Sequence, residues 1–200
     1  MWAHVAWNAG KWLAHYFDQH PHVCRDAWIL ELGAGAALPS MTACLNGAAW
    51  TVATDFPDQE LIDMLQLNMN RNIPVGRQHA IQARGYLWGS DPCALFQGMP
   101  EGQKFTILIL CDLVFNHSQH DNLIQTCLDC LAPNGVMYCI FTHHRPWMSE
   151  KDMEFTRRAQ EHFELEEYMT EKVDVMFEKD PGDEQVRQTL HVFRFLRRGK

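Results

Sequence analysis

The sequence predicts an α/β protein built on a mostly parallel sheet of seven strands. Apolar, strand-like runs alternate with helical patterns between residues 27 and 142, which is typical of a parallel sheet with helices on both faces. The run 29–32 breaks at Gly33 into a glycine turn that opens a helix. Near the C-terminal end, two strand-like runs flank an acidic turn and predict an antiparallel hairpin. Together these observations predict a Rossmann-like sheet with an antiparallel C-terminal hairpin.

The first half of the chain contains three predicted strands separated by helices. The opening helix, residues 2–17, carries apolar residues at helical spacing, and we expect it at the edge of the sheet. The helix over residues 39–46 stops at Gly47. The next helix begins at Pro57 and ends before Pro74. The strands are predicted over residues 27–32, 50–54 and 79–86.

The second half begins with a nearly continuous apolar run, which predicts a strand over residues 105–111. Ser118 is predicted to cap a helix that ends at Cys130, and a turn at residues 133–135 leads into the fifth strand. A polar helix follows over residues 149–162. The remaining strands are predicted over residues 136–142, 165–177 and 186–196, the last two joined by the acidic turn at 180–183.

The composition indicates one globular domain over residues 1–200. Hydrophobic residues make up 46% of the chain and charged residues 21%, which argues against a disordered chain. The net charge of -8 disfavours a nucleic-acid-binding protein and favours a basic partner. The chain opens at Met1 inside an amphipathic pattern that has no capping residue, so we expect that an N-terminal segment is missing.

The seven cysteines are scattered through apolar segments and predict a reduced, cytoplasmic protein. Cys127 and Cys130 form a C-x-x-C pair, but no second pair completes a zinc site. His143 and His144 lack the spacing of metal ligands, and we expect no metal. Because no apolar run approaches the roughly 20 residues of a membrane helix, we expect no membrane span. We also expect a monomer.

The turn at Gly33 and Gly35 predicts a site for a nucleotide-like cofactor, because glycine lets the backbone approach a ligand closely. Dehydrogenases and S-adenosylmethionine-dependent methyltransferases both use such a turn. The dehydrogenase motif has a third glycine where this chain has Leu38. Glu31, at the end of the strand, is a residue type that the methyltransferase motif favours. These two residues and the C-terminal hairpin favour S-adenosylmethionine.

Two further residues are candidates for binding this cofactor. Asp55 ends the second strand, 20 residues after Gly35, where a carboxylate can accept hydrogen bonds from both ribose hydroxyls. The alternative is that Asp55 caps the next helix. Trp88 follows the third strand, where an indole could stack on adenine, but it could equally be one of several core tryptophans.

The residues after the fourth strand are candidates for the substrate site, since ligands of open α/β sheets bind at this edge. Asp112 directly follows an apolar strand, and a buried carboxylate needs a task or a partner. We predict that Asp112 holds a substrate amine and that Phe115 walls it. Asn116 and His117 have either a substrate role or a capping role for the next helix.

Taken together, five motifs resemble the seven-β-strand, family 16 lysine methyltransferases, and within that family the members that modify translation elongation factor 1-alpha. The resemblance implies a cofactor site made from Trp7, Gly33, Gly35, Asp55 and Trp88, beside Glu31, with Asp112 lining the channel to the methyl group. Two residues depart from the family pattern. Ala37 replaces a common glycine and is expected to crowd the cofactor, and Phe115 replaces a frequent tyrosine. The motifs lie at residues 7–10, 31–40, 54–58, 85–89 and 112–118.

The resemblance implies a protein N-methyltransferase that uses S-adenosylmethionine and acts on an N-terminal α-amine or a lysine, with elongation factor 1-alpha as the protein substrate. Two alternatives stay open at this point. One is N-methylation of a small, nicotinamide-like molecule. The other is an inactive scaffold that binds the cofactor.

Overall fold

The computed structural model describes residues 5–198, so the predicted start of the first helix at Trp2 lies outside the described residues. Seven strands form one sheet in the order β3-β2-β1-β4-β5-β7-β6. Strands β1 to β5 are parallel, and β7 runs antiparallel between β5 and β6. The predicted fold class is confirmed. The strands are β1 (Trp28–Leu32), β2 (Trp50–Asp55), β3 (Ile81–Gly85), β4 (Phe105–Cys111), β5 (Leu131–Thr142), β6 (Phe163–Lys172) and β7 (Thr189–Arg197).

Helices cover both faces of the sheet, because alternate residues of the central strands face opposite sides. In β4, Leu108 and Leu110 pack on the side of α5 and α6, whereas Ile107 and Ile109 pack on the side of α1. Short 3-10 helices lie in several of the connections. The α-helices are α1 (Asn8–Gln19), α2 (Pro21–Cys24), α3 (Leu38–Leu45), α4 (Gln59–Asn72), α5 (His120–Cys130), α6 (Ser149–Ala159) and α7 (Glu184–Arg187).

Helix α1 lies on a face of the sheet, so its predicted place at the sheet edge is wrong. Its buried residues Leu13 and Phe17 belong to the same apolar cluster as Ile109 of β4 and Tyr138 of β5. The hairpin strands β6 and β7 extend the sheet beyond β5. The strands under α1 are therefore internal, and the helix buries its apolar stripe against them.

Two local predictions in the second half are also wrong. Ser118 does not cap α5: it lies in the 3-10 helix His117–Gln119, and its hydroxyl donates to the side chain of Asn116 at 3.3 Å. The predicted turn at residues 133–135 lies within β5, where Asn134 has a φ of 61° and the pairing with β4 shifts register. Both segments have good turn composition, but tertiary packing determines which local conformation forms.

Candidate active site

A single cavity of about 410 Å³ collects the predicted site residues at the carboxyl ends of the parallel strands. Residues from the ends of β1, β2 and β4 and from the loop after β3 line it, together with the start of α1. Parallel strands bring distant residues to this edge because all their carboxyl ends point the same way. The lining includes Trp7, Glu31, Gly33, Gly35, Asp55, Trp88, Asp112 and Phe115.

The glycine turn needs glycine for its backbone conformation and for its packing. Gly33 and Gly35 have φ values of 59° and 52°, in the left-handed region that disfavours side chains. A Cβ on Gly33 would lie 2.5 Å from Cδ2 of Leu113, well inside van der Waals contact. The turn therefore presents bare backbone to the cavity.

Ala37 adopts the same left-handed conformation, with a φ of 58°, which costs about 1–2 kcal/mol for a residue with a side chain. The residue is fully buried and packs with Met41 and Cys44 in the core beside α3. It is not part of the cavity wall in the described structure. The expectation that Ala37 crowds the cofactor is therefore wrong, because its methyl group points into the core.

Asp55 connects the end of β2 to the glycine turn. Its Oδ2 accepts a hydrogen bond from the backbone N–H of Gly35 at 2.8 Å, and its Oδ1 accepts one from Phe56 N–H at 2.8 Å. The alternative role as a helix cap is wrong, because Asp58 caps α4 by accepting from the N–H of Glu60 at 3.0 Å. Asp55 thus reaches the cavity with its carboxylate already oriented by backbone donors.

Glu31 is a buried carboxyl group behind the turn, only 2% exposed. Its Oε2 accepts from the backbone N–H of Ser40 at 3.1 Å and from the Ser40 hydroxyl at 2.5 Å. Burial raises the pKa of Glu31 from 4.5 to about 8, although these two hydrogen bonds oppose the shift. The side chain therefore fastens the start of α3 to the end of β1.

Aromatic and aliphatic side chains form the rim of the cavity after β2 and β3. Phe56 is 59% and Leu87 49% exposed although both are apolar. The ring of Trp88 lies across the turn, 3.4 Å from where a Cβ on Gly33 would be. Exposed apolar side chains that line a concave surface are typical of ligand sites.

Asp112 lines the cavity and links three elements. Its Oδ1 accepts from the backbone N–H of Thr142 at 3.0 Å, and His144 Nε2 lies 3.2 Å from the same oxygen. Its Oδ2 accepts from the N–H of Ala9, in the first turn of α1, at 3.3 Å. The residue itself has a left-handed φ of 53°. Asp112 is therefore a junction between β4, β5 and α1.

His144 packs against residues that line the cavity without lining it itself, a position that sequence reasoning missed because its spacing carried no motif. Its ring forms a T-shaped pair with Trp7 at 4.6 Å between centroids and lies 6.5 Å from the ring of Phe115. Phe115 is 41% exposed and faces the cavity. Two aromatic rings and a carboxylate thus line this part of the cavity, and the imidazole of His144 packs behind them.

His117 belongs to a supporting cluster behind this end. Asp152 is buried on α6. Its Oδ1 lies 2.7 Å from Nε2 of His117, and its Oδ2 lies 2.7 Å from Nδ1 of His143. Arg145 donates to the backbone carbonyl of Phe115 at 2.8 Å. These contacts join the loop after β4 to the loop after β5.

Three observations within residues 5–198 limit other kinds of site. No group of three or more potential ligands is arranged to hold a metal ion. Burial raises the pKa of Cys130 to about 12 and raises that of Cys127 well above its ordinary value, which disfavours thiolate chemistry at this pair. Over the same residues, no helix combines the length and apolar character that membrane crossing requires.

Comparison with known proteins gives a consistent result. A model of the lysine methyltransferase family matches residues 2–162. The protein N-terminal and lysine N-methyltransferase efm7 of Schizosaccharomyces pombe is 44% identical over 199 residues, covering 97% of this chain and 77% of the relative. Its counterpart in Eremothecium gossypii is 40% identical, covering 96% of this chain and 75% of the relative.

Solved structures show the same fold at low sequence identity. A proposed RNA methyltransferase from Pyrococcus horikoshii aligns with a TM-score of 0.63 at 17% identity, covering 96% of this chain and 82% of that one. A proposed methyltransferase in complex with SAH aligns with a TM-score of 0.64 at 13% identity, covering 96% of this chain and 50% of that one.

Proposed function

The chain belongs to the lysine methyltransferase family, and from this premise we propose that it is an S-adenosylmethionine-dependent protein N-methyltransferase acting on an N-terminal α-amine, a lysine, or both. The observation that carries the proposal is the single cavity that brings the glycine turn and Asp55 together with Asp112 and Phe115. One end suits a nucleoside and the other suits an amine. Methyl transfer requires the cofactor and the amine to be bound in the cavity at the same time.

The cofactor end fits S-adenosylmethionine in shape and in donor chemistry. The turn leaves no room for a Cβ at Gly33, so backbone can lie directly against a ligand. The Asp55 carboxylate would accept hydrogen bonds from the ribose hydroxyls. Trp88, with Phe56 and Leu87 at the rim, offers flat apolar surface to the adenine. Glu31 and Trp7 would complete the walls of this site.

At the acceptor end, the protein's task is to align an amine and exclude water. The bound cofactor supplies an activated methyl group on a positively charged sulfur. The aromatic residues Trp7 and Phe115 line the cavity, and the faces of such rings would attract a cationic amine. Asp112 provides negative charge beside them and lines the channel to the methyl group. Phe115 lacks the hydroxyl group of the tyrosine that is frequent in the family, so its contribution to binding the amine would come from the aromatic ring alone.

The amine must be neutral to react, and this favours an α-amine as the easier of the two targets. The ordinary pKa of an α-amine is about 7.7 and that of a lysine about 10.4, so deprotonating the α-amine costs roughly 3.7 kcal/mol less. A lysine remains accessible if the site assists its deprotonation.

We further propose that the substrate is translation elongation factor 1-alpha, and that the enzyme acts as a cytoplasmic monomer without nucleic acid. The motif resemblance and the names of the relatives support a protein substrate. The net charge of -8 suits a basic partner. Cysteines at seven positions, all free of disulfides, suit a reducing compartment.

Calorimetry and mass spectrometry test the proposal in two steps. Titration with S-adenosylmethionine should give saturable binding to this protein, and no measurable binding would contradict the proposed enzyme. Binding of the cofactor without methylation of any substrate would leave the inactive scaffold. The mass of a synthetic peptide with the N-terminal sequence of elongation factor 1-alpha should then increase by about 14 Da for each methyl group added. A methylated nicotinamide with an unmodified peptide would instead support the small-molecule alternative.

A further inference from the structure

His144 lies at the acceptor end, two residues beyond β5, and has no role in the proposed function. Both of its hydrogen-bond contacts within residues 5–198 involve Nε2, which lies 3.2 Å from Asp112 Oδ1 and 3.3 Å from Thr142 Oγ1. Its side chain is 17% exposed. His144 does not itself line the cavity, but Trp7, Asp112 and Phe115, which its ring approaches, all do. Its ring therefore lies directly behind the side chains of the proposed acceptor end.

The contact with Asp112 determines which ring nitrogen can act as a base. An ionised carboxylate only accepts hydrogen bonds, so Nε2 carries the proton in the neutral ring. Nδ1 then keeps its lone pair. A carboxylate that fixes the tautomer of a histidine in this way also stabilises the imidazolium that forms when the ring takes up a second proton.

We propose that His144 accepts, at Nδ1, the proton that the substrate ammonium loses before methyl transfer. This inference rests on the proposed function. One N–H bond of the ammonium breaks, its electron pair stays on the amine nitrogen, and a new N–H bond forms at Nδ1. The freed pair then bonds to the methyl carbon while the electrons of the carbon–sulfur bond go to sulfur. The imidazolium afterwards releases its proton to water.

Asp112 is a positioning residue in this proposal. Its two oxygens already receive the N–H groups of Ala9 and Thr142 and the contact from His144. Protonation would weaken all three of these contacts, since each is strengthened by the negative charge. Among the described residues, no hydrogen bond to Nδ1 of the imidazole holds another element in place. A proton can therefore be transferred to and from Nδ1 without breaking the contacts of α1 or β5.

The decisive variant is His144→Gln, which keeps an N–H donor for Asp112 but has no basic nitrogen. His162→Gln, at an exposed position after α6, is the matched control. Each protein is titrated with S-adenosylmethionine and with the synthetic elongation factor peptide, and turnover is measured from pH 6 to 10. His144→Ala with added imidazole provides a second test that does not depend on the glutamine side chain.

We expect His144→Gln to bind cofactor and peptide with unchanged affinity and to lose about 100-fold in turnover at pH 7. Its rate should climb with pH as the substrate ammonium loses its proton to the solvent unaided, and imidazole should restore part of the activity of His144→Ala. The other ionisable groups near this end are the same in the parent and the variants, so their contributions to the pH profile cancel in the comparison. They are Lys11, Glu31, Cys111, Asp112, His117, His143, Arg145, Asp152 and His191.

Full turnover of His144→Gln at pH 7 would overturn the role of His144 and leave the proposed function standing. A loss of peptide affinity with unchanged turnover at saturation would also overturn it, because His144 would then serve binding alone. If the unaltered protein binds cofactor but methylates no peptide amine, the proposed function fails together with this inference.

Discussion

The carboxylate of Asp55 accepts the backbone N–H of Gly35 at 2.8 Å, so the end of β2 holds the turn that follows β1. The two residues are 20 positions apart in the chain. Parallel neighbours with their carboxyl ends together bring such residues into contact. This hydrogen bond fixes the turn and the carboxylate relative to each other, which would reduce the ordering that binding of the proposed cofactor requires.

Replacing Asp55 with alanine should weaken S-adenosylmethionine binding by about 10- to 100-fold, because hydrogen bonds to a charged group are worth roughly 1.5–3 kcal/mol. Calorimetry gives the affinity. Asp58→Ala is the control: it removes the cap of α4 and should cost about 1 kcal/mol of stability, with binding unchanged. Equal loss of affinity in both variants would contradict the ribose role of Asp55.

Gly33→Ala tests the close packing of the turn. The new methyl group would lie 2.5 Å from Leu113 Cδ2 at a φ of 59°, so we expect about 1–3 kcal/mol of destabilisation and at least tenfold weaker cofactor binding as Leu113 is pushed into the cavity. Urea unfolding and calorimetry measure the two effects.

Gly102→Ala separates strain from packing in the same experiment. Gly102 also has a positive φ, 75°, but nothing lies within 4 Å of its added Cβ. We expect about 1 kcal/mol of destabilisation and normal binding. Adding Leu113→Ala to Gly33→Ala should recover part of the affinity, and no recovery would argue against the packing explanation.

Glu31 should make the protein less stable as the pH rises from about 4.5 to 8. Its pKa is raised from 4.5 to about 8 in the folded protein by burial, so over this range the folded state binds more protons than the unfolded state. The free energy of unfolding then falls with increasing pH. The stabilisation is complete below pH 4.5 and is lost as the pH passes 8.

Glu31→Gln removes this titration and keeps an oxygen that can accept from Ser40. Urea unfolding of the cofactor-free protein at several pH values should show a gap between the variant and the parent that changes by several kcal/mol over the window. Exposed Glu101→Gln should follow the parent at every pH. Parallel curves for Glu31→Gln and the parent would show that Glu31 is ionised normally.

Asp152→Ala should destabilise the protein by about 1–3 kcal/mol, since it leaves the buried His143 and its partner His117 without their shared acceptor. Turnover should fall as well, because the loops on both sides of the acceptor end lose their connection. Asp121→Ala breaks an exposed contact with Arg158 at 2.8 Å and should cost less than about 1 kcal/mol. Urea unfolding and peptide methylation assays distinguish the two variants.

The sequence predicted the elements whose signals are local. β4 was predicted with its observed bounds, and β1 within one residue, because a strand buried on both faces is a continuous apolar run. Gly47 ends α3 as predicted, with a φ of 92°. Because the predicted strands are parallel, the candidate residues at their carboxyl ends could be assigned to one edge of the sheet. Gly33, Asp55, Trp88 and Asp112 do line one cavity.

The contacts between distant segments could not be predicted in this way. Asp112 meets the N–H of Ala9 across 103 positions of sequence, and Asp152 joins His117 and His143 through a helix whose place on the sheet no pattern specified. His143 and His144 are adjacent in sequence, yet one packs against Asp152 and the other against Asp112. Only the three-dimensional arrangement separates His143 from His144, whose partner Asp112 lines the cavity.

The position of β7 between β5 and β6 has a consequence for biosynthesis. β6 pairs only with β7 within the described sheet, and β7 follows it in the chain. While the ribosome is still making β7, the parallel strands β1 to β5 and their helices are already available to fold, since domains form from the N-terminal side first. Until β7 has been made, β6 has no strand to pair with. We expect the charge of this strongly acidic strand to disfavour its pairing with other nascent chains.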